Sequence, residues 1–282
     1  MKTKIGIVGH GFVGSATRHF SNSSVDVFIY DREDAKCSPP GTTMEVIARC
    51  KIVFVCVPTP MATDGSCSTR IVESVIATIR EYGDPYIIVR STVPIGFCAR
   101  HNVAFMPEFL TEARYIDDFR STPVWIIGHD RSEDHDFTNA LDSLIRAAHA
   151  DGEIESDKTN YMPTRNAEML KYFRNCFLAT KVAFCNEVAV LCARHNIDYN
   201  EMASHACTDA RIGHSHRVVP GPDGRRGFGG SCFPKDVASL IAQCSAIGCE
   251  SPVLSAVMDR NVRIDRCEQD WKELRGRAVE EE

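Results

Sequence analysis

The sequence has no basic run longer than a pair such as Arg225-Arg226, and its 32 Lys and Arg are dispersed among 38 Asp and Glu for a net charge of −6. It therefore lacks the cationic stripe that nucleic-acid binding requires, and no nucleic-acid partner is expected. No apolar stretch is read as approaching the 18 or more residues that cross a bilayer, so no membrane association is expected either. The opening Met1-Lys-Thr-Lys runs directly into a strand pattern and leaves no room for a signal peptide. None of the 13 cysteines forms a Cys-x-x-Cys pair and their number is odd, which argues against a disulfide framework. They read as reduced thiols of a cytoplasmic protein, mostly filling the core. His214 and His216 have no further ligands at a metal-site spacing, so they read as loop histidines and no metal is expected. There is no internal repeat and no low-complexity tract.

What is present is enough chain for two domains. A sequence of 282 residues can bury about three quarters of its unfolded surface. The first half alternates short apolar runs with helical patterns, as a parallel sheet with crossover helices does. Strands are predicted at 4–8, 25–30, 52–57, 86–89, 103–105 and 124–127, rich in Val, Ile and Phe as strands buried on both faces must be. From Pro163 the pattern becomes helical. One long helix is predicted to run to His195, with Leu170, Phe173, Phe177, Phe184, Val188 and Leu191 on one stripe. Further helices are expected at 199–206, 234–247 and from 252 to about 274. The fold class is thus α/β, a Rossmann-type doubly wound parallel sheet (1–160) followed by an all-helical domain (161–282).

Gly9-His-Gly11-Phe-Val-Gly14 follows the first predicted strand and opens a helical pattern, the context that makes G-x-G-x-x-G informative. Gly9 permits the tight turn, Gly11 lets a pyrophosphate approach the backbone, and Gly14 lets the helix pack close. Asp31 follows 22 residues after Gly9, placed to accept hydrogen bonds from an adenosine ribose. A carboxylate there repels a 2′-phosphate, which favours NAD over NADP. A glycine turn in a doubly wound fold that binds nothing is the plainer alternative.

Residues 227–236 read Gly-Phe-Gly-Gly-Ser-Cys-Phe-Pro-Lys-Asp. They place Cys232 after three glycines and before Pro234, a residue suited to the first helical turn. A thiol there lies near unpaired N–H groups and the positive end of a helix dipole, both of which favour the thiolate. Asp236 falls at i+4, on the same helical face. The competing reading is a buried structural cysteine in a glycine turn.

These segments, with Val57-Pro-Thr-Pro60, Ser91-Thr-Val-Pro94, Met106-Pro-Glu-Phe-Leu-Thr-Glu112, Ala167-Glu-Met-Leu-Lys-Tyr172 with Asn175, and Arg211-Ile-Gly213, closely resemble the UDP-glucose/GDP-mannose dehydrogenase family. The match runs in the same order from residue 4 to about Asn261, and the cysteine decapeptide looks most like the UDP-glucose 6-dehydrogenases. The resemblance implies oxidation of a nucleotide-sugar C6 alcohol to a uronate, with UDP-glucose as the expected substrate and two NAD⁺ per turnover, in service of polysaccharide biosynthesis. It implies that Cys232 adds to the aldehyde, giving a thiohemiacetal and then a thioester. Lys171 and Asn175 are implied donors to the oxyanion, and Asp236 an assistant to proton transfer. Glu108 matches the glutamate that manages the proton and water of thioester hydrolysis, with Glu112 expected one helical turn on. Thr92 matches a hydroxyl that positions water and the nicotinamide region. Phe12, Val13, Pro58 and Thr59 are implied around the cofactor; Phe109, Leu110, Phe228, Gly229 and Gly230 around the substrate. Arg211 matches an arginine that reaches the sugar site of a neighbouring subunit, which implies a homodimer through the long helix. Lys171 as a solvated helix charge, and Glu108 or Glu112 as helix N-terminal carboxylates, remain the structural alternatives.

Two features depart from the family. Residues 220–226 make a longer loop before the glycines, whose Arg225 or Arg226 is weighed as a phosphate ligand against a solvated loop. Residues 274–279 resemble the lead-in to a further nucleotide-binding domain, and three glutamates then end the sequence, so that UDP-binding domain is expected to be missing. Two other readings stand beside the leading one. A β-hydroxyacid dehydrogenase shares this layout without needing the cysteine. A non-catalytic NAD- or nucleotide-binding subunit would partner a full-length dehydrogenase.

Overall fold

The computed structural model describes residues 2–131 and 134–281. The chain forms two compact units, Met1–Thr59 with Thr69–Lys171, and Pro60–Ser68 with Tyr172–Glu282.

The first unit is built on a seven-stranded sheet. Its strands are β1 (Thr3–Val8), β2 (Val25–Tyr30), β3 (Ile52–Val55), β4 (Tyr86–Val89), β5 (Ala104–Phe105), β6 (Trp125–Gly128) and β7 (Thr159–Met162), in the order β2-β1-β3-β4-β5-β6-β7. All neighbours are parallel except β5 and β6. Successive residues feed opposite faces, as the pleat requires. Ile5, Ile7, Ile29, Phe54 and Ile88 pack on one side with residues of α1 (Phe12–Thr17), α5 (Tyr115–Arg120) and α6 (His135–Ala150). Val8, Val53, Val55 and Val89 pack on the other with α2 (Met44–Ala48), α3 (Arg70–Tyr82) and α4 (Phe97–His101). Helices on both faces make the unit doubly wound. Two strands differ from expectation by more than one residue. β3 stops at Val55 because Ser91 Oγ takes the Val57 carbonyl and Pro58 has no N–H to give a ladder. β7 was not expected, because Thr-Asn-Tyr-Met has no apolar alternation; it pairs with β6 alone at the sheet edge.

The second unit is helical. The long helix α7 (Thr164–Arg194) runs through the boundary between the units. It is followed by α8 (Tyr199–Ala206), α9 (Phe233–Ala246) and α10 (Pro252–Arg260). The expected continuous helix to 274 is broken. After Arg260 comes a π-turn, Asn261–Asp265, closed by the Arg266 N–H on the Asn261 carbonyl at 2.8 Å; Arg266 then leaves helical geometry at φ −142°. The segment 60–68 joins this unit through backbone pairing. Met61 N–H donates to the Ala278 carbonyl at 2.9 Å, and Glu280 N–H to the Met61 carbonyl at 3.1 Å.

The apolar stripe on α7 faces outward. The helix's buried face is Tyr172, Cys176, Ala179, Ala183 and Cys192, whereas Phe173, Phe177, Phe184 and Leu191 are 57–67 % exposed. At 100° per residue these four fall within about 40° of one another, so they form one apolar ridge on the chain's surface. By length and composition α7 is also apolar enough to cross a membrane, with a mean hydropathy of 1.6 over 18 residues. This corrects the reading that no such stretch exists. Its charged Lys181 is spent inside the unit, donating to the carbonyls of Ile212 and Gly213.

Candidate active site

In the first unit the groups of interest follow the carboxyl ends of parallel strands, where doubly wound sheets hold their ligands. After β1, Gly9 has φ +92°, and a Cβ there would lie 2.7 Å from the Cys56 carbonyl oxygen. A Cβ at Gly14 would fall 1.8 Å from the Gly9 carbonyl oxygen, while one at Gly11 would meet nothing within 4 Å. Two glycines are thus demanded by the turn, and the third leaves open space where a pyrophosphate fits. Asp31, after β2, accepts the N–H of His10 at 2.7 Å and of Glu33 at 3.0 Å. One bond per oxygen orients the carboxylate and leaves lone pairs for a ribose. Phe12 is exposed and Val13 half-buried at the start of α1; Thr59 and Thr92 are buried after β3 and β4, and Pro58 is exposed. These residues fit a dinucleotide.

After β5 comes an irregular segment rather than a helix. Pro107 supplies no N–H, and Glu108 Oε2 accepts from the Leu110 N–H at 2.8 Å, so the carboxylate organises its own turn. The expectation that Glu112 stands one helical turn from Glu108 is therefore wrong; α5 begins only at Tyr115, and Glu112 is exposed. Lys171, 2 % exposed on α7, donates to Glu108 Oε1 at 2.9 Å and to the Glu108 carbonyl. Its ammonium lies 5.1 Å from the centre of the Phe109 ring, and Leu110 packs on the core. Lys171 is not a solvated helix charge. Burial pushes the Glu108 carboxyl up. The Lys171 ammonium, the Leu110 N–H and the buried Arg90 guanidinium outweigh that effect and hold it below the usual carboxylate range. Nearby Glu168, fully buried, accepts the N–H groups of Gly96 and Cys98, which ties the start of α7 to the turn after Ser91-Thr92.

In the second unit, Cys232 is the N-cap residue of α9, half-buried, with Pro234 in the first turn. Its carbonyl accepts the Asp236 N–H at 3.0 Å. Asp236 is 1 % exposed; its Oδ2 accepts from Asn175 Nδ2 at 2.6 Å and its Oδ1 from Lys235. Burial pushes the Lys235 ammonium down, but Asp236, with Cys232 and Cys67 close by, pushes it further up. So a cation with no role foreseen in the sequence sits beside the thiol and carboxylate. Tyr172 and Ser239 share a hydroxyl–hydroxyl bond of 2.9 Å, locking α7 against α9 in the register that joins Asn175 to Asp236. Lys171 and Asn175 stand one turn apart on α7, as their spacing requires.

Two more residues escaped the sequence reading. Asn261, 1 % exposed, accepts the Phe228 N–H and donates to the Phe228 carbonyl, both at 2.8 Å. It thereby replaces a strand partner for the buried Phe228. A Cβ at Gly227 would lie 2.3 Å from Asn261 Oδ1, and one at Gly229 2.6 Å from the Arg266 guanidinium carbon. The glycines before Cys232 are therefore packing requirements of Asn261 and Arg266, while Gly230 keeps open space at φ +70°. The π-turn is what aims both side chains at this loop. Asn261→Ala leaves two buried backbone groups unpaired at about 1–3 kcal/mol each. Its urea midpoint is expected to fall by an amount corresponding to at least 2 kcal/mol, roughly the lower bound of that sum. An unchanged midpoint would show that the pair carries no weight. Arg225 pairs with Asp270 at 3.1 Å, and Arg226 donates to the Asn186 carbonyl at 2.7 Å, so both long-loop arginines are engaged within their own unit. Arg211 is 90 % exposed at its side chain and forks onto Asp209.

Residues 41–146 match the NAD binding domain, and residues 165–263 the central domain, of the UDP-glucose/GDP-mannose dehydrogenase family. The chain belongs to that family. Its first unit carries the family's NAD-binding domain, with the glycine turn just upstream of the matched region. UDP-glucose 6-dehydrogenase of Pseudomonas aeruginosa is 34 % identical over 251 residues, 81 % of this chain and 52 % of that protein. A solved UDP-glucose dehydrogenase from Pyrobaculum islandicum superposes with a TM-score of 0.79 at 27 % identity, over 93 % of this chain and 68 % of that one. A 3-hydroxyisobutyrate dehydrogenase from Mycobacterium tuberculosis superposes at 0.67 over 93 % of this chain and 94 % of that one. At 17 % identity that likeness is one of fold alone. The chain spans about half the length of the curated relatives it matches.

Proposed function

We propose that this chain oxidises the C6 alcohol of a nucleotide sugar, UDP-glucose first among candidates, to the uronate through a thioester on Cys232. The observation that carries the reading is Cys232 at the N-cap of α9, with the Asp236 carboxylate one turn on, held by Asn175 and Lys235. Bound NAD supplies the hydride acceptor for each two-electron step, held by Gly9, Gly11, Gly14 and Asp31. An aldehyde carbon yields hydride only once it is tetrahedral, so the Cys232 sulfur adds to it, and Lys171 and Asn175 donate to the resulting oxyanion. Oxidation of that adduct leaves a thioester. Glu108, kept ionised beside Lys171, takes the proton of the attacking water, and the thiol leaves. Atoms balance as alcohol, water and two NAD⁺ giving acid, two NADH and two protons. Thirteen free thiols fit a reducing, cytoplasmic setting.

The test is NADH release from UDP-glucose, at two equivalents per uronate formed. One equivalent per product, or turnover that survives alkylation of Cys232, would overturn the reading and favour the β-hydroxyacid alternative. Calorimetric titration with a panel of nucleotide sugars in the presence of NADH asks separately whether the nucleotide is gripped. Tight binding without turnover would point to a regulatory subunit.

We also propose that the ridge of Phe173, Phe177, Phe184 and Leu191 is covered by a second copy of the chain, and that Arg211 serves the partner's sugar site. Four large apolar side chains on one helical face are costly to leave in water, at about 1.5–3 kcal/mol each. Phe177→Asp is expected to turn a sedimenting dimer into a monomer. A wild-type chain that sediments as a monomer would end this proposal.

A further inference from the structure

The far end of α9 carries two cysteines for which the proposed reaction has no use. The helix terminates in a Schellman closure: Cys249 N–H donates to the Cys244 carbonyl at 2.9 Å and Gly248 N–H to the Ser245 carbonyl at 3.1 Å, with Gly248 at φ +69°. This closure folds the residue two beyond the C-cap, Ile247, back over the residue three before it, where two apolar side chains ordinarily touch. Here both are thiols. Cys244 is half-buried and Cys249 exposed. Burial pushes the Cys244 thiol up and the neighbouring Cys249 thiol adds to that push, while the Cys249 Sγ donates to the Glu250 carbonyl at 3.7 Å. A backbone hydrogen bond between the two residues also holds their Cα atoms near the roughly 4.4–6.8 Å that a disulfide spans.

We propose that Cys244 and Cys249 are an oxidisable dithiol that closes to an intramolecular disulfide on meeting a small-molecule disulfide. Cys249, the accessible sulfur, attacks one sulfur of the oxidant as thiolate. That S–S bond breaks, one small thiol leaves, and a mixed disulfide remains on Cys249. Cys244, held beside it by the backbone closure, then displaces the second small thiol and forms the Cys244–Cys249 bond. Two protein thiols are oxidised and one disulfide is reduced to two thiols, which take up the two protons. The second step is intramolecular, so the mixed disulfide does not accumulate. The site stands at the opposite end of α9 from Cys232 and is independent of the catalytic reading.

The full chain is exposed to oxidised glutathione, quenched with N-ethylmaleimide and digested for mass spectrometry. The expected result is a 244–249 peptide lacking two hydrogens and carrying no maleimide, while Cys267, the other exposed thiol, carries a glutathione adduct. In Cys244→Ser the glutathione should instead stay on Cys249. In Cys249→Ser, loss of the Cys244 thiol should slow by about tenfold or more. A stable glutathione adduct on Cys249 of the native chain, with Cys244 alkylated, would overturn the proposal. So would full maleimide labelling of both while Cys267 reacts.

Discussion

Cys232→Ser is expected to end net oxidation of UDP-glucose to the uronate, lowering kcat/KM by about three powers of ten or more. A thiol is intrinsically far more acidic than a hydroxyl and adds reversibly to an aldehyde; a serine hydroxyl needs a base to match it. The substitution changes little else. Cys232 is the N-cap of α9 and its side chain does not cap the helix, whereas serine is among the preferred N-caps, so stability should hold or rise slightly. The Asn175–Asp236 and Lys235–Asp236 bonds are made by other side chains than Cys232. The loss is then chemical rather than structural. The first oxidation, alcohol to aldehyde, does not need the thiol, so a rapid-quench experiment should show at most one NADH per site in place of two per product. If the serine variant still delivers two, the thioester is not on the path.

The sheet was largely legible because its strands are local apolar runs buried on both faces. β2 and β4 have the boundaries expected from Val25 to Tyr30 and from Tyr86 to Val89. The glycine turn was legible because the backbone demands glycine at Gly9 and Gly14, whatever binds there. What could not be read depends on partners distant in sequence. β7 is a strand because β6 offers it an edge, not because Thr159–Met162 has strand character. The break after Arg260 exists because Asn261 and Arg266 are drawn to a glycine loop more than thirty residues earlier. The periodicity of α7 gave an amphipathic helix correctly but not which stripe faces inward. Two apolar stripes compete there, and the smaller Ala and Cys side chains win the interior. At the candidate site, the i, i+4 spacing put Asp236 one helical turn after Cys232, while Lys171 and Asn175 came from the resemblance. Lys235 went unremarked, because the burial that makes its charge matter is not visible in a local motif.

Lys171→Met is expected to damage both stability and rate, in ways that pH separates. The wild-type ammonium is 2 % exposed and bonded to both the carbonyl and the carboxylate of Glu108. Removing it leaves a buried carboxylate without its principal cation, a change that ordinarily costs about 3–5 kcal/mol. In the wild type, Glu108 has a folded-state pKa below its unfolded one. It therefore contributes stability above the unfolded value, and that stability is lost as pH falls through the folded one. In the variant, burial is the largest influence left on Glu108 and only the Leu110 N–H and Arg90 oppose it, so its pKa moves up. Once it passes the unfolded value the sign reverses, and the folded state loses stability as pH rises. The deficit against wild type should thus be smallest near about pH 4 and largest near about pH 7 in thermal unfolding. Adding Glu108→Gln should recover most of the stability, since a neutral amide tolerates that site better than a lone carboxylate, and the double-mutant cycle reports the coupling. Rate should not recover. On the proposed mechanism an oxyanion donor has been removed, and the loss of about 10²–10³ in kcat stays in the double variant. A deficit that does not vary with pH would detach Lys171 from Glu108, and an undiminished kcat would detach it from the chemistry.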